Sequence, residues 1–536
     1  MRGDTVRVAW LWTLLASALI AWAFVRTAAV TEDAFITFRV IDNAINGYGL
    51  VWNVGERVQP YTHPLWALLL LAAASVTGEL FHTALSVSLL LTLCVAGLLT
   101  RFARGRLTAV WVVLALLFSE AFIEYSSAAL ENALAHALVA ALIVAWKYYA
   151  ERVALVALLA GLLVITRHDF AVLVAPLLLG MWLANGWTNK GWAIRWRVIL
   201  WAGTPLFAWS IFSLIYYGSP WPNSAYAKLN NGLSLGDAWT AAVPYFRDVA
   251  KYDAVTALVI VVGGVRALLQ RGWGMRLPAL GLVLYLLYLG AAGGDYMGGR
   301  LFSTPFVMAL AMIAVNVRLR WSAPLWLAIT IGLGLQRGWL VRDVHPHAHV
   351  RPMSQHAWMY PTTGWLSPTR QVDFRDFVWA KQGLEAKRDG HQMVAKCAVG
   401  LYGLSAGPGV YIVDPLAITD GFLARLPAKR PAYPGHFERA FPLGYVETKV
   451  SGTPQLKDPH LARLYALTES VSKDPLFSEA RWHAIWALNS GQDKLLMKQA
   501  DYDPNQIIAP DNAPVISRDA LSCMGQLDPL LTVRLK

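Results

Sequence analysis

The chain has 536 residues, 56% of them hydrophobic and 15% charged, with a mean hydropathy of +0.43 and 24 Trp. Soluble domains carry about 25% charged residues, so the composition excludes an ordinary soluble protein over most of the length and points to several membrane spans. The net charge of +12 does not indicate nucleic acid, because the basic residues fall in short clusters between apolar runs, as cytoplasmic loops do.

In chain order, the apolar run 8–29 follows Arg2 and Arg7 and predicts an uncleaved first span, since no small-residue cleavage site follows it. Glu32 and Asp33 come next and open a first outer loop over 30–63. The run 64–78 is short for a crossing and is read as re-entrant or as one of a pair. Further spans are predicted near 85–100, 107–122, 128–149, 153–166, 170–187, 198–216, 254–270, 277–292, 301–317 and 322–339. Basic clusters at 101–106, 147–152, 190–197, 266–276 and 318–320 place those loops in the cytoplasm. The N-terminus is then inside, and the acidic, aromatic or Gly/Pro-containing loops 119–132, 166–170, 216–230 and 291–300 lie outside with Glu32 and Asp33.

Beyond residue 340 no apolar run follows. The segment with His345, His347 and His349 reads as a polar linker in preference to a metal site. A helical pattern over 373–389 and strand-like runs at 393–403 and 409–414 complete the expectation. It is a polytopic α-helical membrane protein of about 11–13 spans over 1–339, with an extracytoplasmic mixed α/β domain over 340–536. Cys94 is expected to pack inside a span. Cys397 and Cys523 would both face an oxidising compartment, where they can pair.

Standard motifs are absent: the sequence has no phosphate-binding P-loop, no dinucleotide turn, no paired-Cys zinc pattern and no nucleophile elbow. What remains is a set of polar residues at the outer ends of spans. Glu32, Asp33, Arg39, Tyr61, His63, Glu131, Arg167, His168, Asp169, Asn223, Lys228, Asp295 and Arg300 all fall there. A carboxylate can take a proton from a hydroxyl, and guanidinium and ammonium groups can hold a phosphate. The combination suits transfer of a sugar from a lipid phosphate in the bilayer to an acceptor in the aqueous space. Charges at membrane depth also mark transport pathways, so a transporter or flippase of lipid-linked sugar is the alternative. The absence of an internal repeat and the concentration of polar groups on one side weigh against it.

Five stretches carry a resemblance. They are "EDAFITFRVIDNAINGYGLVWNVGERVQPYTHPLW" (32–66), "SSAALENAL" (126–134), "YYGSPWPNSAYAK" (216–228), "GGDYMGGRLFSTP" (293–305), and "YIVDPLAITDGFLARLP" with "GHFER" (411–427 and 435–439). Together they resemble membrane glycosyltransferases of the GT-C fold. Within these, the stretches are similar to the mycobacterial terminal β-(1→2)-arabinofuranosyltransferase family and to a related arabinosyltransferase that acts on type IV pilin. "TRHDF" (166–170) departs from the family's triplet at that point. The resemblance implies an inverting transferase of the plasma membrane that moves arabinofuranose from a polyprenyl-phosphate donor to an envelope glycan or a pilin-like protein. It makes Asp33 the general base with Glu32 beside it. Arg39, Arg167, Lys228 and Arg300 become candidates for the phosphate, and Tyr61, His63, Glu131, Asn223, Asp295 and His436 for substrate contact. No cofactor is required; a divalent cation at the acid pair is left open.

Overall fold

The computed structural model describes residues 2–183, 189–229, 233–337, 355–429 and 435–505. The helices in chain order are α1 (Arg2–Thr27), α2 (Glu32–Ile45), α3 (Pro64–Thr77), α4 (Phe81–Arg101), α5 (Arg106–Phe118), α6 (Glu120–Ser126), α7 (Asn132–Tyr148), α8 (Val153–Thr166), α9 (Phe170–Leu183) and α10 (Asn189–Tyr217). They continue with α11 (Asn223–Leu229), α12 (Leu235–Tyr252), α13 (Ala254–Leu268), α14 (Arg276–Ala291), α15 (Ser303–Asn316), α16 (Ala323–Arg337) and α17 (Gln355–Thr363). The last are α18 (Val378–Arg388), α19 (Gly400–Ala406), α20 (Tyr445–Ser451), α21 (Pro459–Lys473), α22 (Glu479–Asn489) and α23 (Gln492–Gln499). His345, His347, His349 and Cys523 lie outside the described residues.

Two compact units form, each from discontinuous segments. The first comprises residues 1–31, 63–207 and 234–374; the second comprises 32–62, 208–233 and 375–536. In the first unit α15 packs on α7 and α13, α14 on α9, and α4 on α1 and α7. Its core is almost wholly apolar, with Ile143, Leu163, Phe306 and Leu310 all fully buried. Small residues set the closest crossings. A Cβ at Gly281 of α14 would sit 1.9 Å from the carbonyl oxygen of Leu173 in α9. Close backbone approach of this kind is how apolar helices associate when lipid removes the hydrophobic incentive.

Among the described residues, α4 and the 191–217 part of α10 are each long and apolar enough to cross a membrane, and only 17% of the most apolar window in α10 is buried. Trp196, Leu200 and Phe207 on α10 are 63%, 59% and 68% exposed. An apolar helix that stays uncovered along its length has lipid as its natural solvent. Shorter apolar helices of 10–17 residues make up most of the remaining expected spans. The expected crossing 107–122 is instead broken: α5 and α6 meet at 70°. Ser119 causes the break, because its side chain accepts the N–H of Phe122 at 3.1 Å and starts a new helix. The run 64–78 becomes the helix α3, opened by Pro64 and closed by Gly78 in the left-handed conformation. Cys94 is exposed on α4, contrary to the packing expected for it. The buried stripe of α4 runs through Thr92, Val95, Ala96 and Leu99, and Cys94 falls on the other face.

In the second unit the strand β1 (Met393–Ala395) pairs in parallel with β2 (Tyr411–Val413), Val394 opposite Ile412. The strand-like run 393–403 yields only three strand residues; from Gly400 it turns into α19, the crossover helix that a parallel pair needs. A separate apolar core gathers Leu423, Leu426, Tyr445, Leu464 and Ile485. Cys397 is disulfide-bonded.

Residues 32–62 are built into this second unit by polar contacts. Arg39 is 2% exposed. It donates to the carbonyls of Trp52 (2.9 Å), Gly403 (2.6 Å) and Val410 (3.0 Å), and its guanidinium lies 4.3 Å from the Trp52 ring. Asn53 exchanges two hydrogen bonds with the backbone of Ile412, at 3.0 and 3.1 Å. Lys449 lies 3.0 Å from Glu56, and the Tyr411 hydroxyl donates to Glu56 at 2.8 Å.

Candidate active site

In the first unit the site is built around Glu131. The loop before α7 takes a left-handed turn at Ala129, φ 58°, a conformation that costs energy outside glycine and survives only when its surroundings fix it. Here they do. Trp66 donates its indole N–H to the Ala129 carbonyl at 3.2 Å, and the Thr31 amide donates to the Ala128 carbonyl at 3.3 Å. Asn132 donates to the Arg300 carbonyl at 3.3 Å and to Ser303 Oγ at 3.0 Å. The turn delivers Glu131, fully buried, into a ring of cations. Arg167 Nη1 is 3.3 Å and Arg300 Nη2 3.2 Å from Oε1, and His63 Nδ1 is 3.2 Å from Oε2. Burial pushes the Glu131 carboxyl up, but Arg300, His63 and Arg167 together outweigh it and hold the group well below the usual carboxylate range.

Arg167 is also clasped by Asp169 through two bonds of 3.1 and 2.7 Å, and the Tyr285 hydroxyl donates to Asp169 at 3.1 Å. The guanidiniums therefore sit in a network of carboxylates that fixes their planes. Asp295 is half-buried in the neighbouring loop, where its Oδ1 accepts the Tyr296 amide at 2.8 Å. The Tyr125 hydroxyl donates to the Gly298 carbonyl, and Tyr245 accepts the Leu301 amide, both at 2.8 Å. The structure thus brings together His63, Glu131, Arg167 and Arg300. Tyr285 was not picked out from the sequence. Its one signal is a hydroxyl in the apolar run of α14, where an unsatisfied phenol would be costly.

The other expected residues belong to the second unit. Glu32 opens α2 and is buried; its carboxylate accepts the amides of Gly400 (2.6 Å) and Leu401 (3.0 and 3.2 Å). A side chain at Gly400 would collide with the backbone oxygen of Glu32, its Cβ only 2.2 Å away. Burial raises the Glu32 carboxyl to about 8 against the pull of those two amides, with the neighbouring Asp33 adding to the rise. Asp33 is half-buried in the same turn. Tyr61 pairs with the Tyr217 hydroxyl at 2.9 Å. Asn223 donates to the carbonyls of Ala417 and Ile418 at 2.9 Å and Asp420 at 3.1 Å, joining α11 to the 417–420 turn. Lys228 and His436 are half-buried. No group of three or more His, Cys, Asp or Glu side chains among the described residues is placed to hold a metal ion.

The raised Glu32 carboxyl has a measurable consequence. The folded state holds this proton more tightly than the unfolded chain, so the stability it contributes is complete below about pH 4.5 and is lost as pH rises toward 8. The loss is on the order of a few kcal/mol. Thermal unfolding midpoints should fall between pH 5 and 8 in the native protein and fall less in Glu32→Gln. Asp414, raised to about 6 by burial, titrates in the same window, so the difference between the two proteins is the quantity to read. Identical slopes would show that Glu32 stays ionised.

Apolar helices and a charged cluster buried at their ends define the class: a helical membrane protein with a polar site. Comparison with known proteins narrows it. No family model matches the sequence. The chain is 26% identical over 359 residues to the terminal beta-(1->2)-arabinofuranosyltransferase of Mycobacterium tuberculosis, covering 58% of this chain and 56% of that protein. It is 26% identical over 379 residues to the protein of the same name from Corynebacterium glutamicum, covering 58% and 52%. The chain is similar to these two arabinofuranosyltransferases, and it spans about half the length of the curated relatives it matches.

Proposed function

We propose that the chain is a membrane glycosyltransferase that moves arabinofuranose from a polyprenyl-phosphate donor to an extracytoplasmic acceptor, a glycan or a pilin-like protein, with inversion at the anomeric carbon. The observation that carries the reading is the buried Glu131–Arg167–Arg300–His63 cluster in a chain related to transferases of that sugar. In this scheme Asp33 accepts the proton of the acceptor hydroxyl as its oxygen attacks the anomeric carbon. The bond from that carbon to the phosphate oxygen breaks, and the lipid phosphate leaves with the electron pair. The guanidiniums, held in fixed planes by Glu131 and Asp169, offer donors to the phosphate without first having to be ordered. Glu32, engaged with backbone amides, positions the turn that carries Asp33. A flippase of lipid-linked sugar is not favoured, since both relatives are named as transferases.

The test is direct. Purified protein in nanodiscs, given labelled polyprenyl-phosphate arabinofuranose and candidate acceptors, should form a new glycosidic bond. Movement of the lipid across the bilayer without one would support the flippase. Orientation has its own check: after mild reduction, a membrane-impermeant thiol reagent on intact spheroplasts should label Cys397 and leave Cys94 unmodified. Labelling of Cys397 only after permeabilisation would put the second unit in the cytoplasm.

A further inference from the structure

We infer that α22 of the second unit is a membrane-surface anchor, with Phe477 and Trp486 seated in the lipid headgroup region at the Tyr217 end of α10. The inference is independent of the reaction proposed above. Phe477 is 78% and Trp486 76% exposed, although side chains of this size dominate cores and interfaces wherever they can be covered. Scattered exposed apolar residues are ordinary; what sets these two apart is where α22 is tied. Residues 208–233 belong to the second unit, so the last turns of α10 pack with α22 in one body. Arg481, fully buried, donates to the carbonyls of Val471 (2.9 Å), Leu476 (3.0 Å) and Tyr216 (3.0 Å). At the other end of α22, Asn489 donates to the Gly218 carbonyl at 2.8 Å. The contact leaves no slack: a Cβ at Gly218 would lie 2.3 Å from Val471 and 3.1 Å from Ile485. Both ends of α22 are therefore held against the end of α10.

That end of α10 has the features of a bilayer boundary. From the basic Arg197 to Tyr217 the helix runs about 20 residues, or about 30 Å, the thickness of the hydrocarbon core. Apolar side chains stay uncovered up to Ile211 and Phe212. Phe212 stacks on Tyr216 with ring centroids 5.4 Å apart, and tyrosine is enriched at membrane–water interfaces. A helix tied to Tyr216 and Gly218 thus sits at headgroup depth. On its uncovered side Phe477 and Trp486 are interspersed with exposed Glu479 and His483. This mixture suits the interface, where aromatic rings find apolar contact while the carboxylate and imidazole keep water. A dry protein contact over the same face would have to desolvate Glu479 as well.

The experiment uses the full chain in nanodiscs. Phe477→Cys and Trp486→Cys, each keeping the other aromatic, are made in a Cys94→Ser background with the Cys397 disulfide intact, and each is labelled with a nitroxide. Both positions are largely exposed, so neither change opens a cavity in the core. Collisions of the label with oxygen, which concentrates in lipid, are compared with collisions with a water-soluble nickel chelate. Ile211→Cys on α10 supplies the lipid value, and Asp389→Cys, exposed beyond the end of α18, supplies the aqueous value. The oxygen-to-nickel ratio at positions 477 and 486 should lie nearer the Ile211 value than the Asp389 value. A ratio nearer the aqueous value at either position would overturn the anchor. Few collisions with both reagents would also overturn it, in favour of a second copy or another protein covering the face. An aqueous ratio at Ile211 would remove the bilayer boundary itself, and the anchor with it.

Discussion

Asp33→Asn is expected to abolish sugar transfer while leaving the protein folded and able to bind the lipid donor. Asp33 and Glu32 are neighbours in the first turn of α2, and successive side chains on a helix point about 100° apart. Glu32 turns to the amides of Gly400 and Leu401, so the adjacent carboxylate is the one directed elsewhere. Asparagine matches aspartate in shape but cannot accept a proton. Loss of a general base typically lowers the rate by about 10²–10⁴-fold, which would be read as kcat with labelled donor at saturation. Donor affinity should stay within about threefold, since in the proposed scheme Asp33 acts on the acceptor hydroxyl and not on the donor phosphate. Turnover near the native rate would remove Asp33 from the mechanism.

Glu131→Gln is expected to have the largest effect on stability and to weaken donor binding. Its carboxylate lies between Arg167 and Arg300 at 3.3 and 3.2 Å, with no exposed surface. Taking one partner from a buried ion pair leaves the other desolvated, at a cost of about 3–5 kcal/mol. Arg167 keeps Asp169; Arg300 loses its 3.2 Å contact with Glu131, so the damage should extend to the loop 293–300. Adding Arg300→Gln to Glu131→Gln should recover part of the lost unfolding midpoint, because the two changes share one interaction. Purely additive losses would mean that the pair is not coupled. The sign of the pH dependence is also set. The carboxyl is held low in the folded protein, so its contribution is complete above about pH 4.5 and is lost as pH falls below it, opposite in direction to that of Glu32.

Much of the helical plan was legible because apolar runs and basic clusters are local signals. The runs 64–78 and 85–100 stand out in the sequence as apolar segments and form α3 and α4 (Phe81–Arg101). The break at Ser119 was not legible: a serine inside an apolar run either points to lipid or caps a new helix, and only the path of the chain chooses. The cluster was legible as a set of residue types at span ends, while the assignment of partners was not. Arg39 and Arg300 look alike in sequence. One donates to three carbonyls around Trp52 and Val410, and the other meets Glu131.

The sequence by itself determined that the chain is rich in apolar helices, that acids and cations collect at their ends, and that its motifs follow those of arabinofuranosyltransferases, because composition, periodicity and short motifs are properties of neighbouring residues. Only the tertiary structure decided that residues 32–62 fold into one unit with residues 375–505, and that Glu32 meets backbone amides at Gly400 and Leu401 while Glu131 meets Arg167 and Arg300. The partners of Glu32 are 368 and 369 positions away and that of Arg300 is 169. At such separations no local pattern selects a partner. The choice follows from burial, which makes an unpaired charge too costly to leave where the fold has placed it.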